Sequence, residues 1–465
     1  MNIRLWGSVV LCSLFSSVLP AQKPADYLER PLPASWSDGD STFQQTLPVD
    51  DRWWDAFQDP LLDSLISVAV KQNYDIGMAA DRIHMAKASF RMQKSGYYPS
   101  LGLSGGWTKQ QTSGRTSSLP QEQTHYTDAS LNMRWEVDLF GSIRNRVKSQ
   151  KELFAASKEE YNAAMVSLCA GVATAYINLR ELQQEVDVAR RNLSSQEEIL
   201  HITEVRYNTG LVPKLDVAQA KSVYYSTKAS IPQLEAGIIQ YANAIGVLLG
   251  LYPSDVWEIV RESRPLPDYM ELVGVGVPAN LLRRRPDIRS AERQVASYAA
   301  QLGASKSDWW PSFYLKGAIG FASKDMDTFF DHNSLTYEIA PSMTWNFFQG
   351  TRLANATRLA KSQLDESIKQ FNQTVLTAVQ EVDNAMSSYR NSIKQLVAMR
   401  EVVNQGKETL QLSLELYKQG LAPFQNVLDA QRSLLSYENQ MVQTQGDSLL
   451  GLIRLYQSLG GGWNE

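Results

Sequence analysis

Few residues in this 465-residue chain combine the type and spacing that chemistry requires. Its histidines, His84, His125, His201 and His332, share no ligand-like spacing with one another or with a cysteine, so no metal site is expected. No nucleophile–base set, phosphate loop or pair of carboxylates in a common pocket can be assembled, so neither an enzyme nor a cofactor is expected. The densest basic run is Arg283-Arg284-Arg285. Pro286 and Asp287 follow it, and proline at the first helical position with an acid in the first turn reads as a helix start. A net charge of −4 with interspersed signs gives no basic footprint, so nucleic acid is excluded as a partner. Asp216 and Asp429 each follow a glycine–leucine–x–proline turn, near a helix N-terminus whose dipole stabilises an acid.

Those two turns belong to a duplication. Tyr207, Gly210, Leu211, Pro213, Val217, Ala220, Leu249 and Gly250 recur 210 positions later as Tyr417, Gly420, Leu421, Pro423, Val427, Ala430, Leu459 and Gly460. Upstream, Met165, Val172, Leu179, Val186, Leu193, Leu200 and Tyr207 stand seven apart, as do Val375, Val382, Tyr389, Leu396, Val403, Leu410 and Tyr417. A sustained seven-residue apolar repeat makes a left-handed coiled coil. A second seam lies at Leu168, Ala175, Leu182 and Ala189, and at Ala378, Ala385, Ser392 and Met399, so each helix can touch neighbours on two sides. In front of these helices, Asp75-Ile76, Ala79, Ala88, Lys94-Ser95 and Pro99-Ser100 match Asp287-Ile288, Ala291, Ala300, Lys306-Ser307 and Pro311-Ser312 at an offset of 212. One structural unit is therefore used twice.

The expected organisation is a signal peptide at 1–21, an extended segment at 22–60, repeat 1 at 61–253, a linker at 254–280 and repeat 2 at 281–463. Arg4, an apolar stretch at 5–19 and small residues up to Ala21 read as an export leader. With only Cys12 and Cys169, a mature chain without its leader has no disulfide. After the leader no stretch reaches the roughly 18 apolar residues of a membrane helix, so a membrane span must be β.

Each repeat holds a strand pair, at about 99–140 and about 311–348. Ala129, Leu131, Met133, Trp135, Val137 and Leu139 alternate with Ser130, Asn132, Arg134, Glu136 and Asp138. Tyr337, Ile339, Pro341, Met343, Trp345 and Phe347 alternate with Glu338, Ala340, Ser342, Thr344 and Asn346. The partner strands carry Leu101, Leu103, Gly105 and Trp107, and then Phe313, Leu315, Gly317, Ile319 and Phe321. Isolated pairs with charge on one face only, and no other sheet to pack on, suit outer-membrane strands around a wet interior. Four strands cannot close a barrel, and open edges are not tolerated in lipid, so the chain must oligomerise. Three copies give twelve strands and four give sixteen; residue patterns alone do not choose.

The long helices are expected at about 143–208 and 351–418, each roughly 65 residues and near 100 Å at about 1.5 Å per residue. Return helices follow the turns. Leu211 and Leu421 sit at the tips, either folded back onto their helices through a Schellman contact or standing free as knobs for another protein.

At this point the chain resembles the TolC-like outer-membrane factor family, in its drug-efflux (OprM/NodT-type) branch. The resemblance runs from about Trp53 to Trp463. It is carried by Trp53-Trp54-Asp-Ala-Phe-Gln-Asp-Pro-Leu-Leu62, Trp135-Glu-Val-Asp-Leu-Phe-Gly141, Leu281-Leu-Arg-Arg-Arg-Pro-Asp-Ile288 with Ala291-Glu292, Leu428-Asp-Ala-Gln431 and Leu459-Gly-Gly-Gly-Trp463. The fold it implies is mainly α with membrane β: four long helical segments and four strands per chain, forming as a homotrimer a twelve-stranded barrel continuous with a twelve-helix tunnel. It also implies the outer membrane of a Gram-negative bacterium, a periplasmic adaptor (membrane fusion) protein, an inner-membrane pump of the resistance–nodulation–division class, and a role in multidrug resistance. Many relatives carry a lipid-bearing cysteine just ahead of the segment matching Tyr27 to Pro31. Here that region reads Ala21-Gln22-Lys23, and Cys12 lies within the apolar leader, so no lipidation is expected.

In this family acidic side chains on the returning helices ring the axis at the helical tips. The matching positions are Asp216, Asn426 and Asp429, with Gln425 one turn before Asp429. Charges about 7 Å apart at an effective dielectric near 20 repel by roughly 2 kcal/mol per pair, so such a ring favours cations and opens unless held shut. The expectation is a passive exit duct of a tripartite efflux pump, gated at Asp216, Gln425, Asn426 and Asp429 and docking its adaptor through Gly210, Leu211, Gly420 and Leu421. The outlet of a type I protein secretion system has the same architecture. A soluble coiled-coil scaffold is the reading from another class.

Overall fold

A computed structural model describes residues 27–36, 43–44, 52–111, 113, 115, 123–267 and 273–463. The expected leader, Cys12 and much of the 22–60 segment lie outside these residues. In chain order the elements are β1 (Phe43–Gln44), α1 (Pro60–Gln72), α2 (Tyr74–Lys94), β2 (Ser100–Gln111), β3 (Gln123–Val137), α3 (Ser142–Asn208), α4 (Lys214–Leu249), α5 (Pro253–Val260), β4 (Val273–Gly274), α6 (Leu281–Arg284), α7 (Pro286–Ser307), β5 (Ser312–Ser323), β6 (Leu335–Thr344), α8 (Arg352–Lys418) and α9 (Phe424–Ser458).

The strand pairs are not isolated. They join into one antiparallel sheet of order β2-β3-β5-β6, with β2 and β6 as edges. Its register sets Leu103 against Leu131, Leu131 against Ile319 and Ile319 against Tyr337. Because side chains alternate across a pleated strand, this places the apolar residues of all four strands on one face. The opposite face carries Arg134 beside Lys316, Ala318 beside Glu338, and Ser104 hydrogen-bonded to Ser130 at 3.1 Å. Alternation in the sequence expects the last strand to run through Phe347, but β6 ends at Thr344 because its partner β5 begins at Ser312. Phe347 and Phe348 extend beyond the ladder, exposed.

Helices α3 and α8 are each 67 residues long, about 100 Å at roughly 1.5 Å per residue. Below the sheet α2, α3, α7 and α8 lie side by side; toward the tips α4 and α9 replace α2 and α7 as partners of the long helices. The two short helices meet the two return helices end to end, and the junctions are built alike. Asn73 accepts from Ile76 N to start α2 and donates from Nδ2 to Leu248 O, in the last turn of α4, at 2.9 Å. Arg285, 212 positions on, precedes α7 and donates to Ser458 O at the end of α9 at 3.0 Å, while gripping Asp287 at 2.6 Å and Glu381 at 2.6 Å. The arginine run is thus a helix junction, with Pro286 and Asp287 in the first turn of α7.

The core sits at this junction level. Trp53 is 1% exposed and stacks on Tyr456 at 5.6 Å, edge-on to Trp54 and Phe57. Gly462 packs against Trp53 and Cys169 with a φ of 105°, a backbone conformation that favours glycine. Three expectations change here. The first helix of repeat 1 is broken at Asn73 into α1 and α2. The 254–280 stretch is no bare linker: α5 buries Val256 and Val260, and β4 pairs parallel with β1. A stretch of α3 also reaches membrane-helix hydropathy over 18 residues, but it is core, with Val172, Ala173, Tyr176, Ile177 and Leu179 fully covered.

The heptad stripe is buried down to Tyr417 in α8 except at half-buried Leu410, but in α3 only from Val172 to Val186, with Met165 half-buried. Below that, Leu193 and Leu200 are half-buried and Tyr207 is exposed, while Asn192, Gln196, Ile199 and Thr203 turn inward. The reason is a second neighbour: α3 packs on α9 as well as α4 and rotates its buried ridge toward it.

Candidate functional site

Both long helices end in one device. Gly210 and Gly420 adopt φ of 76°, a left-handed conformation that glycine takes without a Cβ clash. Leu211 N donates to Arg206 O, and Leu421 N to Leu416 O, each at 2.9 Å, which is the Schellman closure. Pro213 and Pro423 then cap α4 and α9. Of the two alternatives for the tip leucines, the Schellman contact forms in the backbone only. The backbone closes back on the helix, yet the side chains do not, leaving Leu211 68% and Leu421 72% exposed.

The tips are not equivalent. Arg206 of the first hairpin reaches the second, its Nη1 donating to Tyr417 O and Lys418 O, both at 2.8 Å. Its guanidinium lies 4.7 Å from the centre of the Tyr417 ring. A cation on the last carbonyls of α8 completes bonds the helix leaves open and meets the negative end of its dipole. Tyr417 is consequently buried at 2%, packed on Phe424 at 5.3 Å, whereas its counterpart Tyr207 is 41% exposed. Sequence reasoning missed Arg206. Its signal was a departure from the repeat, since the matching position is Leu416.

The four acidic or amide positions divide between two places. Asp216 is half-buried on α4 beside Arg206 and Tyr417; burial raises its pKa, and the Arg206 charge partly offsets this. Gln425, Asn426 and Asp429 come together on the exposed face of α9, opposite the buried ridge of Phe424, Val427, Leu428 and Gln431. Gln425 Nε2 donates to Asp429 Oδ1 at 2.9 Å, holding the carboxylate along the helix. Asn426 and Asp429 line an open groove of about 850 Å³ between α8 and α9, with Glu401 and Gln405 on its far wall.

Above the tips, the seam between α3 and α9 is polar. Asn192 Nδ2 donates to Glu438 Oε2 at 2.6 Å, and Gln443 Nε2 to Glu185 Oε1 at 2.8 Å. Glu181 points at Gly446, where an added Cβ would overlap its carboxylate. Burial, with Glu185 and Asp447 near, pushes the Glu181 carboxyl up to about 8. Among the described residues no histidine, cysteine and carboxylate group is placed to hold a metal ion.

The model of the family described as outer membrane efflux protein matches residues 65–251 and 277–461, one stretch over each repeat. Nodulation protein T of Rhizobium leguminosarum bv. trifolii is 31% identical over 409 residues, 87% of this chain and 86% of that protein. The solvent efflux pump outer membrane protein SrpC of Pseudomonas putida is 29% identical over 463 residues, covering 97% and 96%. Among solved structures, the outer-membrane channel OprN superposes with a TM-score of 0.89 at 29% identity, over 93% of this chain and 98% of that one. The outer membrane protein VceC of Vibrio cholerae gives 0.82 at 26% identity, over 90% and 100%. The apolar sheet face, the paired long helices and these matches lead to one conclusion: the chain belongs to the outer membrane efflux protein family, a family of transport channels rather than enzymes, and is an efflux channel of the outer membrane.

Proposed function

We propose that three copies of the chain form the passive exit duct of a tripartite efflux pump, carrying small molecules such as drugs from the periplasm to the exterior. The observation that carries this is the four-stranded sheet with two open edges, apolar on one face and charged on the other. Unpaired N–H and C=O groups on β2 and β6 cost several kcal/mol each in hydrocarbon, and pairing β6 of one copy with β2 of the next removes that cost. Twelve strands leave a lumen lined by the Arg134 face. The 67-residue helices continue the wall on the periplasmic side. The pumping energy is supplied by an inner-membrane partner of the resistance–nodulation–division class, joined through a periplasmic adaptor that docks at Gly210, Leu211, Gly420 and Leu421.

The gate in this reading is the tip. Asp429, Gln425 and Asn426 of each copy face the axis from α9, and Asp216 belongs to the latch with Arg206 and Tyr417. Closure of the sheet is tested by cysteine pairs, one within 100–108 and one within 336–344. In a single chain these edges are three strand spacings apart, about 14 Å at roughly 4.8 Å each, too far for a disulfide. Mild oxidation gives a ladder ending at three linked chains. A ladder ending at another number rejects the trimer, and chains that never link reject closure.

A further inference from the structure

The turn at 324–334 joins β5 to β6 at the strand ends away from the helices, and the duct reading gives it no role. A turn there can fold inward over the channel mouth or outward over the lipid-facing rim. The side is decided by Phe321. Register places it opposite Ala129 and Leu335, two residues from Ile319 and Tyr337, and therefore on the apolar face. Phe329 and Phe330 close on Phe321 with ring centres 6.1 and 5.6 Å away, and on each other at 5.0 Å. Phe329 is buried by this contact, yet Phe330 stays 79% and Met326 70% exposed.

The turn holds this shape with its own bonds. Ser334 Oγ donates to Thr328 O at 2.8 Å, Thr328 Oγ1 and Ser323 Oγ share a hydrogen bond at 2.8 Å, and Asp331 N donates to Thr328 O at 3.1 Å. Lys324, Asp325, Asp327 and Asp331 stand exposed along the same turn. An aromatic pair continuous with an apolar sheet face and bordered by charge is the composition of a membrane–water boundary.

We propose that the 324–334 turn is an interfacial anchor: Phe330 and Met326 enter the outer leaflet of the bilayer and extend the lipid-facing surface by one aromatic layer, while Asp325, Asp327 and Asp331 stay in water at the headgroups. This rests on the reading that the sheet lies in a bilayer, and the test separates the two. A nitroxide is attached to Phe330→Cys, Asp327→Cys or Ile319→Cys, each in a Cys12→Ser background, in the oligomer reconstituted into liposomes. Cys169, 1% exposed, does not react. Collision of the label with oxygen, which concentrates in lipid, is compared with collision with a water-soluble nickel chelate. The expected oxygen-to-nickel ratio at 330 approaches that at 319 and exceeds that at 327. A ratio at 330 equal to that at 327, with 319 lipid-like, overturns the anchor and leaves the membrane reading intact. A water-like ratio at 319 overturns both, and a label at 330 that neither reagent reaches places it under another part of the assembly and also overturns the anchor.

Discussion

Arg206 at the tip and Glu181 in the seam between α3 and α9, well above it, are the residues whose surroundings say most about how the two hairpins are held together. Arg206 makes two charge-assisted bonds from one hairpin to the other, and hydrogen bonds of this kind contribute about 1.5–3 kcal/mol each. In planar bilayers Arg206→Ala is expected to raise the fraction of time the channel conducts, whereas Asp429→Ala lowers its preference for cations. Unchanged records for either variant remove that residue from the gate. Glu181 gives a pH dependence with a definite sign. Its folded pKa of about 8 stands above the ordinary 4.5, so folding favours the protonated carboxyl. Stability from this group is complete below about 4.5 and is lost as pH rises toward 8. The melting temperature of the oligomer should fall across that window, and Glu181→Gln should flatten the fall and melt higher at pH 8. A variant that tracks the parent across the window removes Glu181 as the cause. The Arg206 contact and the Glu181 shift were not legible in the sequence, whereas Asp429 was expected at the gate from the family resemblance. Asp216 and Asp429 both lie near the start of a return helix, although the repeat mate of Asp216 is Asn426; one faces Arg206 and the other solvent, and only the packing of α3 on α9 makes that distinction.

The elements themselves were largely legible, because each is fixed by local pattern. Proline-free heptads placed the long helices close to α3 and α8, and glycine with proline placed the turns. Where reading failed, a tertiary partner decided. β6 stops at Thr344 because β5 supplies no further partner, although alternation continues to Phe347. The lower heptads of α3 give way to Gln196 and Thr203 because a second helix lies alongside. Strings that mark the family proved to be mainly architectural: Trp53 under Gly462, Arg285 joining α7 to α9, and Asp138 accepting from Arg144 N to start α3. At this scale the prediction concerns the tips. Leu211 and Leu421 are exposed in the single chain, so replacing both with Asp should cost the fold little, within about 0.5 kcal/mol each. The doubly substituted protein is expected to remain an oligomer in detergent, to lose adaptor co-purification and to fail in dye efflux from cells. Normal efflux would show that the adaptor docks elsewhere.

Across the whole molecule, the sheet and the helices pose the same problem. β2 and β6 are open edges above, and α2 and α8 are the outer helices of the layer below. Met78, Met85 and Met92, spaced seven apart on α2, are exposed at 50%, 61% and 74%, a seam that no element among the described residues covers. One chain is thus a panel with apolar and hydrogen-bonding margins, which the proposed assembly completes with identical neighbours. The measurement closest to that claim is ionic current through the purified protein in a planar bilayer. The account predicts discrete, cation-preferring conductance steps, each from one closed assembly. A bilayer that stays insulating while the same protein inserts as single chains would contradict it.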